Sequence, residues 1–143
     1  MKRDLGMKRA WLLAAAGVAL LPWACAATNA TSPPLDRTFD IRVGATTQVE
    51  GTDVEVRFEG VLNDSRCPPD VKCISAGDAT VALRLAGGGR DATTYELHTP
   101  RGAREAEHGS YVVSLVALGP PAASNRKASA EDYVATVRLR RRD

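Results

Sequence analysis

The side chains able to do chemistry in this 143-residue chain are few: the cysteines Cys25, Cys67 and Cys73, the histidines His98 and His108, and scattered hydroxyls and carboxylates. Cys67 and Cys73 have five residues between them. That is neither the C-x-x-C spacing of thioredoxin-like redox motifs nor that of zinc ribbons. His98 falls on the polar side of an alternating segment, and His108 lies in a stretch rich in Arg and Glu. Both therefore read as surface residues rather than bases or ligands. No G-x-S-x-G elbow supports a Ser-His-Asp triad. The triplet Gly87 to Gly89 sits between two alternating segments with no helix after it, so it reads as a hairpin tip and not as a phosphate cradle. The sequence thus nominates no catalytic residue, no metal ligand and no cofactor, and the chain reads as a non-enzyme. An enzyme of unrecognised type is the alternative, since active sites can be assembled from residues that no motif reveals.

The N-terminus accounts for one cysteine. Lys2, Arg3, Lys8 and Arg9 precede a short uncharged run from Trp11 to Leu21, followed by Pro22 and the small residues Ala24, Cys25, Ala26 and Ala27. That order of charged, apolar and small residues is the signature of a secretory signal. Residues 1–26 are expected to form a signal helix, with Met1 or Met7 as the start. Cleavage at Ala24-x-Ala26 would release a soluble periplasmic or secreted product. Processing at Cys25 would instead leave a lipid-anchored one, although Pro22 stands where a lipobox has an aliphatic residue. Either route takes Cys25 out of the thiol count, and a remaining pair in an oxidising compartment should be joined, Cys67 to Cys73.

The segment Asn63 to Gly77, N-D-S-R-C-P-P-D-V-K-C-I-S-A-G, is the most unusual of the chain. Pro68 and Pro69 fix φ and remove two donors, while Asp64 and Ser65 suit Asx-type turns. A disulfide across it makes a rigid connection between two strands. It reads first as a clamp on strand register. As a recognition loop, its candidate contact residues are Asp64, Arg66, Pro68, Asp70 and Lys72, with Arg66, Asp70 and Lys72 at the tip, because a preorganised loop loses less entropy on binding. Presented to a protease, the same loop would suit an inhibitor. Asp64, Ser65, Arg66, Cys67, Pro68, Val71, Cys73, Ala76 and Gly77, with Ala79 and Val81, resemble the D-S-R-C-P-x-x-V-x-C-x-x-A-G-x-A-x-V signature of a family of small bacterial exported proteins and lipoproteins. Asp70 stands where that pattern has Gly, and Ser75 where it has Trp. The resemblance implies common descent and names no activity.

The elements that must position this loop follow from a period of two in hydrophobicity. Residues 27–35 read as a flexible polar spacer, and residues 36–143 as one domain. Alternation marks strands at Phe39 to Val43, Val54 to Phe58, Val81 to Leu85, Tyr95 to Leu97 and Tyr133 to Leu139, with a short one at Thr46 to Glu50. Tyr111 to Leu118 is nearly continuous apolar, as expected of an interior strand covered on both faces. Gly102 to Gly109 reads as a turn. About seven strands in just over 100 residues predict an all-β fold, a single two-layer antiparallel β-sandwich of immunoglobulin-like architecture, with an open barrel as the alternative. Of 19 basic and 17 acidic residues, four and one precede Ala27, which leaves 15 and 16 and a formal charge of −1. That excludes the electrostatic footprint of a nucleic-acid binder. The Arg138 to Arg142 cluster reads as a solvated strand face. The expected partner is another envelope protein, with membrane contact only through the signal or a lipid on Cys25.

Overall fold

A computed structural model describes residues 31–100 and 102–143. The expected signal segment and Cys25 lie outside the described residues. The described chain is all-β: β1 (Thr38–Arg42), β2 (Thr46–Gln48), β3 (Glu55–Asp64), β4 (Ala79–Gly87), β5 (Arg90–His98), β6 (Glu105–His108), β7 (Tyr111–Gly119) and β8 (Val134–Arg141), with one 3-10 turn at Ala130–Asp132. They form two antiparallel four-stranded sheets, β1-β8-β7-β6 and β2-β3-β4-β5.

Alternation decides which side chains meet between the sheets. Val56 and Phe58 of β3, Val81, Leu83 and Leu85 of β4, Ile41 of β1, Val113 and Leu115 of β7, and Val137 and Leu139 of β8 belong to one buried cluster. Each such residue contributes roughly 1.5–3 kcal/mol through removal from water. The outward positions of β8 from Thr136 onward are polar, and they are paired, Thr136 with Asp40. Arg138 meets Asp36, Arg140 meets Glu105, and Arg142, just past the strand end, meets Glu107.

Three expectations are corrected. There are eight strands among the described residues, because Glu105–His108 is β6 and not part of a turn; it pairs with Tyr111 to Ser114 of β7. Every hydrogen-bonded strand pair is consecutive in sequence except β1 with β8. The chain changes sheet from β1 to β2 and from β5 to β6 and runs consecutively within each sheet, with β1 beside β8, which is not the Greek key of immunoglobulin domains. Finally, β7 is interior within its sheet, yet only its first half is covered on both faces: Tyr111, Val112 and Val113 are buried, whereas Val116 and Ala117 are exposed around a bulge between Leu115 and Ala117.

The stretch expected as spacer is attached at its end. Glu50 N–H donates to Pro33 O at 2.8 Å, and Leu35 packs against the core.

Candidate functional site

The connection from β3 to β4 carries the cysteines, and Cys67 and Cys73 are disulfide-bonded, with Cα atoms 6.1 Å apart. Its neck is a two-stranded extension of the β3–β4 ladder. Ser65 N–H donates to Asp78 O at 2.7 Å, and Cys67 N–H donates to Ala76 O at 2.9 Å. The Ser65 hydroxyl donates to Asp78 O and accepts from Asp78 N–H, at 3.0 and 3.2 Å. Gly77 closes this neck with φ +69°, and a Cβ there would sit 1.8 Å from Ser65 O. Only glycine combines that left-handed conformation with so close an approach.

Asp64 and Arg66 turn inward. Asp64 Oδ1 accepts the Arg66 backbone N–H at 3.2 Å, the expected Asx-type turn, and also the Arg66 Nε–H at 2.9 Å. Arg66 Nη2 donates to Asp64 Oδ2 at 2.7 Å and to Pro120 O at 2.9 Å, and Nη1 donates to Leu118 O at 2.7 Å. The Tyr133 hydroxyl donates to Asp64 Oδ2 at 2.9 Å. Side-chain exposure is 14% for Arg66 and 16% for Asp64. Arg66 is therefore not at the loop tip, which corrects the sequence reading. Its planar fork ties the neck of the loop to the end of β7 and the turn that follows, because a guanidinium offers five donors in a fixed geometry, enough for both carboxylate oxygens and two carbonyls.

The electrostatics match this role. Hydrogen bonding to the Arg66 side chain holds the Asp64 carboxyl below its ordinary value, against partial burial. The same bond raises Arg66. Burial, with donation to Asp64, raises the Tyr133 phenol, so this hydroxyl stays protonated as a donor.

The other candidates occupy different places. Pro68 is half-buried beside a cleft of about 260 Å³ whose far wall runs from Pro121 to Ala128. Asp70 and Lys72 are exposed at the tip, where Asp70 accepts a hydrogen bond from the Ser124 hydroxyl. Between and beside them stand two apolar residues that the sequence reading did not offer as contacts: Val71, 44% exposed, and Ile74, with no burial at all at 109%. Their strand-like apolar character was visible; their outward direction was not.

His108 departs from the expectation of a plain surface residue, whereas His98 stands on the outward side of β5, half-buried beside Asp78. His108 is 0% exposed. Its Nε2 lies 3.0 Å from Gly87 O and its Nδ1 lies 3.1 Å from the Tyr95 hydroxyl. A carbonyl can only accept, so Nε2 carries a proton, and in the neutral imidazole Nδ1 is then the acceptor for the Tyr95 hydroxyl. On this strand of four residues, His108 is the one fully buried position. His98 Nδ1 lies 2.5 Å from Asp78 Oδ2, and Asp78 Oδ1 accepts from Thr99 N–H and Oγ1–H, each at 3.1 Å. Burial raises the Asp78 carboxyl, but the bonds from His98 and Thr99 outweigh this and leave it below its ordinary value.

Among the described residues no group of three or more His, Cys, Asp or Glu side chains is placed to hold a metal ion, and no helix is long and apolar enough to cross a membrane. What the arrangement presents is a cross-linked loop, fixed at its neck, touched at its tip by Ser124 through Asp70, and otherwise exposed there. Compared with protein-family models, curated proteins and solved structures, the chain matches none.

Proposed function

We propose that this chain is a non-catalytic exported domain of the cell envelope that works by contact, presenting the Cys67–Cys73 loop to another envelope protein. The observation that carries the reading is Ile74. With Val71, 44% exposed, it puts two apolar side chains in water on a loop held by a disulfide and by the Asp64–Arg66 pair, and an apolar tip of that kind is a surface for a partner to cover. Holding the loop rigid lowers the entropy lost when that happens. The charged-apolar-small order of residues 1–26 and a disulfide suited to an oxidising compartment support export, either as a free periplasmic or secreted protein or with a lipid on Cys25.

The test places a photo-crosslinking amino acid at position 74 in producing cells and compares it with the same residue at exposed Arg57. A discrete crosslinked species at position 74 that is absent at position 57, and that disappears when Val71 is also changed to Asp, is the expected result. Equal labelling at both positions overturns the reading. The intact mass of the recovered protein reports the processing site, a lipid on Cys25 and the disulfide in the same preparation.

A further inference from the structure

The connection from β7 to β8 has no regular structure before the 3-10 turn at Ala130–Asp132. From Pro121 to Ala128 no backbone N–H or C=O makes a hydrogen bond among the described residues. Side chains hold the segment instead. The Ser124 hydroxyl donates to Asp70, Arg126 Nη2 donates to Asp132 Oδ2 at 3.2 Å, and just beyond the run Ser129 N–H donates to the same oxygen at 2.9 Å. Ala122 and Ala128 are half-buried, and the other residues of the run face solvent.

An endopeptidase takes its substrate as an extended strand and pairs with the substrate's backbone groups. A folded chain offers such a stretch only where its backbone is not already paired, so a strand is cut only after it has opened. The run from Pro121 to Ala128 meets this demand with no unfolding. Two adjacent basic residues, Arg126 and Lys127, stand inside it, and neither is followed by proline. Lys127 has no carboxylate within ion-pair distance among the described residues. The Arg126–Asp132 pair is 69% and 39% exposed, a surface contact that yields at little cost. Other basic residues are less accessible: Arg57 and Arg84 lie in strands, Arg66 is committed to four hydrogen bonds, and Lys72 sits in a tight ring closed by the disulfide. The remaining run of adjacent basic residues among those described, Arg140 to Arg142, belongs to β8 and its end.

We propose that this connection is a processing site for an endopeptidase that reads basic residues, cut after Arg126 or Lys127, and that the product is a two-chain domain. Water adds across the amide and leaves a carboxylate on one piece and an ammonium on the other, so no further reactant is needed. The cut does not release the C-terminal piece. β8 lies between β1 and β7 and is paired with both, and Tyr133, Ala135, Val137 and Leu139 are buried in the core. What changes is local. Residues of the run line the cleft beside Pro68, and Ser124 reaches Asp70, so cutting frees one end of the wall that stands against the Cys67–Cys73 loop. This goes beyond the loop-tip reading and stands or falls separately from it.

The experiment has two arms. The folded protein is digested with a trace of trypsin and followed by mass under denaturing conditions and by size exclusion under native ones. The first cut should give a piece beginning at Lys127 or Ala128 that coelutes with the rest of the chain natively and separates in denaturant. Cuts at Arg57 or Arg84 should be on the order of a hundredfold slower, because their strands must open first. In the second arm the protein is recovered from producing cells, where the same piece should be found. Arg126→Gln combined with Lys127→Gln should remove it and leave Tm unchanged, whereas Arg37→Gln, at another exposed position, should leave it in place. Should the double variant be unstable, the unmodified protein decides in both arms. A first tryptic cut elsewhere, loss of the C-terminal piece from the native peak, protein recovered wholly uncut from the cells, or an equal yield of the piece from a folded double variant would each overturn the proposal.

Discussion

Replacing Arg66 with alanine deletes four side-chain hydrogen bonds: two to Asp64, one to Leu118 O and one to Pro120 O. The two carbonyls lose their donors in a partly exposed place where water can substitute in part, which costs about 1 kcal/mol each. The ion pair, with partners 14% and 16% exposed, lies between a surface pair worth under about 1 kcal/mol and a buried one whose disruption costs about 3–5 kcal/mol. A value of about 1–2 kcal/mol is reasonable for it. The expected total is about 3–4 kcal/mol, or a fall of roughly 12–16 °C in Tm for a domain of this size. Urea and thermal unfolding at pH 7, followed by circular dichroism, measure both. Arg66→Lys should recover less than half the loss, because an ammonium cannot span the carboxylate and both carbonyls. A double-mutant cycle with Asp64→Asn should give a coupling of about 1–2 kcal/mol. A loss below about 1 kcal/mol for Arg66→Ala, or a coupling near zero, would show that the loop neck is held by something other than this side chain.

Acid unfolding should report the same cluster. Because the folded Asp64 carboxyl titrates below its ordinary 3.8, its contribution is complete above that value and is lost as the pH falls through the lower folded one. Asp64→Asn should thus be less stable at pH 7 and show a shallower decline between about pH 5 and 2, measured by Tm against pH. Gly77→Ala should cost more than about 2 kcal/mol, since both the positive φ and the contact with Ser65 O forbid a Cβ, whereas Gly44→Ala, strained but with nothing within 4 Å, should cost about 1 kcal/mol; chemical denaturation of the two variants separates these cases. His108→Phe keeps the ring but leaves Gly87 O without its donor and the Tyr95 hydroxyl without its acceptor, so a loss of about 2–3 kcal/mol is expected from the same unfolding assay. Cys67→Ser with Cys73→Ser should remove roughly 2–2.5 kcal/mol and leave the Asp64–Arg66 anchor in place; amide exchange should then quicken between Pro68 and Ala76 but not in β3 or β4.

How far the residue order alone reached can be seen element by element. Val54, Val56 and Phe58, or Val137 and Leu139, announce their strands because a pleated chain sends alternate side chains to one interior, and that rule needs nothing beyond the local pattern. The Gly87 to Gly89 hairpin tip and the pairing of Cys67 with Cys73 are local in the same sense. β6 escaped notice because Glu-Ala-Glu-His has a polar face and puts only a small alanine and a histidine inside, and a buried histidine looks like a surface one until its two partners, Tyr95 and Gly87, 13 and 21 residues away, are brought to it.

The loop divides along the same line. Its covalent closure, its prolines and its Asx turn follow from neighbours within a few residues, so the chain itself specifies a stiff excursion between β3 and β4. Which face of that excursion meets water was decided by tertiary structure. Arg66 turns inward because carbonyls 52 and 54 residues further along are held open at the end of β7, where β6 has stopped. Once the arginine is committed there, Asp70, Val71, Lys72 and Ile74 are what remain outside. Short-range patterns set the backbone's shape, but donors find acceptors across the whole fold, and that matching assigned the roles.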